Sequence, residues 1–279
     1  MLNLCSSLLL CGSLSLSFAS EKIKVEEVVT KHLASIGTPE ALSSAKTRVL
    51  TGDVKARLKL TNVLVEISGP AQFASAGDKI MLAMIFNSSN YPHEKLGYDG
   101  DKLTLGTLTS GGRTPLGNFL LSQEVIFKQG LMGGVLSSAW PLLNFDPQEP
   151  NVSYSGTYKI NGKPAHKLRF RNSGNLQINL YFDAETFQHL RSQYEYVIPA
   201  PQGITPEVSA SQRDSRYKLV EEFSDFQPTD NLVLPHSYSI KLTIELPQKT
   251  QMMEWAIAFQ QFAFDQSLDP NVFNLSAAK

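Results

Sequence analysis

The side chains in this sequence best suited to chemistry are its five histidines, and their spacing gives them little to do together. His32, His93, His166, His189 and His236 are scattered. No His-x-x-x-His pair or His-Glu-x-x-His run sets two imidazoles on one helical face for zinc. His93-Glu94 and Asp99 could converge with a serine into a hydrolase site, yet there is no Gly-x-Ser-x-Gly elbow, phosphate loop or dinucleotide glycine fingerprint. The two cysteines, Cys5 and Cys11, both fall within the first twenty residues. Removal of that segment would leave no thiol for a disulfide, for zinc or for nucleophilic attack. Each histidine therefore reads as a surface residue of a strand or helix. Binding without turnover is expected, with no catalytic residue, metal or cofactor.

Composition narrows the partners. A chain of 279 residues with 42% hydrophobic side chains can bury a substantial core. Its 25 Lys and Arg nearly balance its 26 Asp and Glu, for a formal net charge of −1. The basic residues are dispersed, so no field is present to hold a nucleic-acid backbone. The first twenty residues carry an apolar run around Leu8, Leu9 and Leu10 and end in Ser17-Phe18-Ala19, which is small-x-small. This predicts a signal peptide over residues 1–19, followed by one domain over 20–279. Cys11, between Leu10 and Gly12, distantly follows a lipoprotein box, although Leu10 is larger than the residue that normally precedes a lipidated cysteine. No other apolar run approaches the ~18 residues that span a bilayer. A soluble, exported, periplasmic monomer is expected, with lipid anchoring in the envelope as the lesser alternative.

The elements that would position these residues are mostly strands. Glu21 to Ile36 reads as an amphipathic helix, and Thr38-Pro39 starts a second that runs to about Ala45. From there the period changes to 2, with Val54, Ala56, Leu58 and Leu60 alternating with Lys55, Arg57 and Lys59. Lys79 to Phe86 is apolar on both faces and so needs dry neighbours on both sides. Tyr98-Asp99-Gly100-Asp101 reads as a hairpin turn, since no further carboxylates stand at calcium-loop spacing. Strands from Val152, His166, Leu176 and Phe187 follow at meander spacing, with Asn161-Gly162 and Asn172-Ser173-Gly174-Asn175 as turns. A proline-punctuated loop from Pro199 to Pro206 precedes strands over Tyr217 to Phe226, Val233 to Leu246 and Gln251 to Phe264. About a dozen strands, each oily on one face, predict a mostly β protein: an incomplete antiparallel β-barrel around an apolar cavity.

One segment does not fit a sheet. Between Arg113 and Leu143 two helices are expected, Thr114 to Gln129 and Leu131 to Trp140. Thr114 stands at the N-cap, Pro115 at the first helical position and Gly130 just past the C-terminus. Leu116, Phe119, Leu120, Ile126 and Phe127 fall on one side, while Leu121 and Val125 fall roughly opposite. A helix oily on two sides needs two oily neighbours. This segment, about residues 113–143, is read as a helical lid over the open mouth of the sheet.

Several motifs resemble one family. His32-Leu33-Ala34-Ser35-Ile36-Gly37, leading to Lys46-Thr47-Arg48 and Thr51-Gly52, resembles the opening of the periplasmic lipoprotein-carrier superfamily, LolA/LolB-like and of the outer-membrane lipoprotein-sorting type. Tyr158-Lys159-Ile160-Asn161-Gly162 with Ala165-His166-Lys167-Leu168, Tyr181-Phe182-Asp183 with Thr186, and Val233-Leu234-Pro235 follow in the family's order. Leu268-Asp269-Pro270 with Phe273 is similar to its ending. The resemblance implies an incomplete barrel with a helical lid and an apolar cavity for lipid acyl chains. The chain departs from the carriers in its larger helical insertion after Gly106, and their lid-anchoring arginine is not assigned to any position here.

The expected cavity is lined by Leu58, Ile80, Leu82, Met84 and Phe86 from the sheet. The lid contributes Phe119, Leu120, Ile126, Phe127, Leu131 and Trp140. A slip of one residue would exchange Ile80 for Met81. Gly133 and Gly134 read either as a hinge or as a site of close helix packing. The expected function is a carrier of lipid or lipoprotein acyl chains through the cell envelope, served by a membrane-associated donor or acceptor. The alternative is a non-catalytic regulatory module that binds a protein partner with the same trough.

Overall fold

The computed structural model describes residues 23–60, 63–108, 111–148, 151–171, 174–200 and 213–276. The expected signal peptide, Cys11, and most of the proline-punctuated loop lie outside them.

Helix α1 (Val25–Ile36) and helix α2 (Pro39–Ser44) lead into a sheet of twelve strands. These are β1 (Thr47–Leu60), β2 (Val63–Ala76), β3 (Lys79–Ile85), β4 (His93–Tyr98) and β5 (Leu103–Leu105), then β6 (Val152–Ile160), β7 (Lys163–Phe170), β8 (Leu176–Asp183) and β9 (His189–Ile198). β10 (Ser215–Thr229), β11 (Leu232–Leu246) and β12 (Lys249–Phe264) complete it. The spatial order is β5-β4-β3-β2-β1-β12-β11-β10-β9-β8-β7-β6, and every neighbouring pair is antiparallel. β5 and β6 are unpaired edges, so the expected barrel is open.

This order forces one long crossing. Hairpins take the chain from β1 out to one edge at β5, and a second run of hairpins brings it from the other edge, β6, back to β12 beside β1. At about 4.8 Å per strand, the two edges lie roughly 50 Å apart along the sheet. Whatever joins β5 to β6 has to traverse a face, and that connection is the apolar segment read as a lid.

Alternation decides which face. Arg48, Leu50, Val54, Ala56 and Leu58 of β1 are buried while Lys55 and Arg57 are exposed, and Tyr238, Ile240, Leu242 and Ile244 repeat the pattern on β11. Turn chemistry fixes the register. Asn161 and Gly162 have φ of 50° and 85°, the left-handed pair that a two-residue hairpin needs. Asp99 Oδ1 accepts the N–H groups of Asp101 at 3.1 Å and Lys102 at 2.8 Å, which makes Tyr98-Asp99-Gly100-Asp101 a turn.

Strand β3 is dry on its inner face and only partly so on the other, where Met81 is buried, Ala83 is half-buried and Ile85 is exposed. Ile80, Leu82 and Met84 join the main core, whereas Met81 packs with Ala74 and Phe273 on the opposite face. Phe273 arrives on a short 3-10 turn (Pro270–Phe273) that lies against β3 and β4. A Cβ on Gly97 would stand 2.6 Å from the Phe273 carbonyl oxygen, so only glycine admits this approach.

Candidate functional site

The lid is more broken than its sequence suggests. Helix α3 (Pro115–Ser122) starts as expected, with the Thr114 hydroxyl accepting the Gly117 N–H at 3.0 Å. It stops at Ser122, whose hydroxyl donates to the Phe119 carbonyl at 2.7 Å and competes with the next helical bond. Helix α4 (Val125–Lys128) follows after a break at Gln123, so the single helix expected from Thr114 to Gln129 is two. Gly130, at φ 64°, closes α4 as anticipated: its N–H donates to Phe127 O and the Leu131 N–H donates to Ile126 O.

The helix expected from Leu131 to Trp140 does not form. Gly133 and Gly134 sit at φ 78° and 48°, left-handed values that interrupt a helix, and only a 3-10 turn (Gly134–Leu136) remains. A second 3-10 turn (Pro141–Asn144) begins beyond Trp140. A Cβ on Gly133 would fall 2.4 Å from the Phe73 ring, and one on Gly134 would fall 2.7 Å from both His189 and Phe223. In this closed arrangement the pair permits close packing of the lid backbone on aromatic rings.

All eleven residues expected to line the cavity come together in one apolar cluster, none more than 5% exposed. Leu58, Ile80, Leu82, Met84 and Phe86 form the sheet side, and Phe119, Leu120, Ile126, Phe127, Leu131 and Trp140 the lid side. They meet one another: the open hollow foreseen beneath the lid is filled, among the described residues, by the lid's own side chains. Phe127 lies 5.9 Å from Tyr98, and Phe119 stacks on Tyr217 of β10 at 6.3 Å. Open volume lies beside the lid instead. A groove of about 1200 Å³ runs between the end of α1, α2, the β10–β11 turn and the 3-10 turn after Trp140, with Leu33, Ile36, Leu42, Leu143 and Leu232 among its apolar walls.

Buried polar groups pin the lid at intervals, and these were not foreseen. On β4, Glu94 accepts from the hydroxyl of Thr114 at 2.7 Å and from that of Tyr91, so it holds the start of α3. On β10, Glu221 accepts the Gly133 N–H at 2.8 Å, the Tyr194 hydroxyl at 2.6 Å and the Tyr238 hydroxyl. On β1, Arg48 Nη1 donates to the Val135 carbonyl at 2.7 Å. Ser75 Oγ of β2 accepts the Ser138 N–H at 2.9 Å. At the far end, Trp140 Nε1 donates to His32 Nε2 at 3.0 Å, while His32 Nδ1 donates to the Phe187 carbonyl at 3.0 Å.

This corrects the reading of the histidines as surface residues. His32 and His189 are fully buried, and His189 stacks on Trp140 at 4.6 Å and meets the Phe223 ring at a tilt, 4.5 Å between centroids. His32 is neutral, because its Nδ1 has only a carbonyl to bind and its Nε2 must accept. Burial lowers its pKa to about 4, against a smaller upward pull from the Phe187 carbonyl. Burial, and then the neighbouring His32, hold His189 well below the usual imidazole range. The carboxyls move the other way. Burial pushes Glu94 up to about 7 despite the opposing hydroxyls of Tyr91 and Thr114, and it raises Glu221 as well.

The hydrolase grouping does not assemble. Glu94 opposes Met84 on the buried face, His93 is its neighbour along the strand and so faces the other way, and Asp99 is bound up in its turn. The polar anchors did leave a trace in the sequence. Arg48 stands in phase with Leu50, Glu94 with Leu96, and Glu221 with Leu219 and Phe223. A charged residue on the inward phase of a strand is a buried charge that needs a partner.

The molecule is thus an open twelve-stranded antiparallel half-barrel whose edge-to-edge connection folds back as a lid on the inner face. No family model matches the chain, and no curated protein matches it. Among solved structures it is similar to a putative outer membrane lipoprotein-sorting protein domain from Vibrio parahaemolyticus, with 11% identity, TM-score 0.42, and coverage of 89% of this chain and 95% of that one. It is similar also to a LolA superfamily protein from Nitrosomonas europaea, with 11% identity, TM-score 0.43, and coverage of 91% and 99%. The MucA/MucB complex of Pseudomonas aeruginosa matches at 10% identity and TM-score 0.21 over 86% and 99%.

Proposed function

We propose that this protein is an exported carrier of lipid or lipoprotein acyl chains, which it lodges between the half-barrel and the lid. The observation that carries this reading is the apolar interface itself. Eleven aliphatic and aromatic residues from sheet and lid meet there, held closed by a handful of polar contacts and flanked by an open groove.

Such an interface suits exchange. Lifting the lid would wet both faces, but an acyl chain that takes its place keeps the sheet dry and contributes about 0.8 kcal/mol for each methylene removed from water. Gly133 and Gly134 are the proposed pivot. Once the lid leaves the rings of Phe73, His189 and Phe223, two glycines regain a wide range of backbone angles. Donor and acceptor would be membrane-associated, with delivery to the periplasm through the N-terminal segment. No helix among the described residues is long and apolar enough to cross a membrane.

The test is native mass spectrometry with lipid extraction on protein taken directly from cells. Acyl species should accompany the wild type and be depleted in Phe127→Asp, which places a charge in the middle of the interface. Protein that is free of acyl species and carries a bound polypeptide would replace the carrier with a partner-binding module.

A further inference from the structure

Three buried groups on the inner face ordinarily carry full charge: Glu94, Glu221 and Arg48. Both oxygens of each carboxylate are taken, by Tyr91 and Thr114 for Glu94, and by Gly133, Tyr238 and Tyr194 for Glu221. Arg48 is different. It is 1% exposed, its Nη1 donates to Val135 O, and its Nε and Nη2 have no partner among the described residues. No carboxylate among the described residues lies within ion-pair distance of it.

The two idle nitrogens are not a random pair. Nε and Nη2 share one edge of the planar guanidinium, and their N–H groups point the same way. That edge matches two oxygens of a carboxylate or phosphate. A buried cation with its bidentate edge free is costly in a closed core and suited to a core that receives an anion. Location agrees. Arg48 pairs across the sheet with Ser75, whose hydroxyl holds Ser138, and Ser138 lines the 1200 Å³ groove.

We infer that the Nε/Nη2 edge of Arg48 is a subsite for an oxyanion, phosphate or carboxylate, borne by an amphiphile whose hydrocarbon occupies the lid interface. This rests on the carrier reading above and narrows its cargo to acyl lipids with a negative group at the chain's polar end. Val135 O holds Nη1 while the lid is shut, and the ligand's oxyanion takes the free edge as the lid segment moves.

The experiment compares chain-matched pairs offered to the full-length mature protein in non-ionic detergent micelles: phosphatidate against diacylglycerol, and palmitate against hexadecanol. Retained lipid is quantified after re-isolation. Wild type should favour the anionic member of at least one pair by roughly tenfold or more, the size of a charge-assisted bidentate contact. Preference for phosphatidate alone identifies a phosphate, and preference for palmitate identifies a carboxylate. In Arg48→Met the ratio should collapse toward one, and in Arg48→Lys, which keeps the charge but loses the fork, it should fall severalfold. Equal retention of both members by wild type overturns the subsite and leaves the carrier standing, as does a preference that survives in Arg48→Met. Retention of no lipid by wild type overturns both. Should Arg48→Met fail to fold, the wild-type ratios and Arg48→Lys decide the matter.

Discussion

At the scale of single residues, the polar anchors make the closed form answer to pH in two opposed ways. His32 has an ordinary value of 6.5 lowered to about 4 in the folded chain. Between those values the unfolded chain binds the proton and the folded one does not, so this contribution is complete above pH 6.5 and is lost as pH falls toward 4. Glu94 runs the other way, from 4.5 up to about 7. Its contribution is complete below pH 4.5 and is lost as pH rises through 7. Each shift is worth about 3 kcal/mol at most. Between pH 4.5 and 6.5 the two slopes oppose each other, and these two groups together should leave stability nearly flat there. Single variants separate them. Glu94→Gln should expose the histidine slope, with urea midpoints that rise steadily from pH 4.5 to 6.5. His32→Phe should expose the falling carboxyl slope up to pH 7, on top of about 1–3 kcal/mol lost because Trp140 Nε1 is left unpaired. If both variants keep the wild-type pH profile, neither group titrates as its burial demands.

At the scale of elements, strands and lid were not equally legible. Most strands could be read because an inward face of Val54, Ala56 and Leu58 or of Tyr238, Ile240 and Leu242 repeats with a period that nothing else produces, whereas β2 (Val63–Ala76) was not singled out. The lid's composition marked it as buried, but its helices could not be delimited from periodicity. Its break at Gly133 and Gly134 comes from contacts distant in sequence: Phe73 and Phe223, which lie under the two glycines, and Glu221, which binds the Gly133 N–H. Periodicity carries no information about partners 60 to 90 residues away in sequence, such as Phe73 for Gly133 and Arg48 for Val135. The glycine requirement can be measured. Gly133→Ala puts a methyl 2.4 Å from the Phe73 ring at a φ of 78°. It should lower stability by about 2–4 kcal/mol through overpacking and backbone strain. Phe73→Leu in the same chain should recover the overpacking share and leave the strain. Unchanged unfolding of Gly133→Ala by urea would mean that the glycines are not packed as described.

At the scale of the molecule, the strand order dictates both the lid and its control. Because β1 and β12 meet in the middle of the sheet, the β5-to-β6 connection crosses the inner face from one edge to the other, and its anchors fall on β4, β10, β1, β2 and α1 in turn. Such a lid can lift only if these contacts yield, so a single covalent stitch near the groove should arrest the whole exchange. Ser75 and Ser138 offer the place: the Ser75 hydroxyl already receives the Ser138 N–H at 2.9 Å, and one residue stands on the sheet, the other on the lid. The sequence has no cysteine outside Cys5 and Cys11, so a Ser75→Cys, Ser138→Cys pair in mature protein lacking residues 1–19 would have no competing thiol. When oxidised it should raise stability by about 2–4 kcal/mol through the roughly sixty-residue loop it closes. It should also slow acyl-lipid uptake by at least an order of magnitude, and a reductant should restore both properties. Uptake at the wild-type rate with the disulfide shown intact would place the entry route at the groove alone and relieve the lid of any gating role.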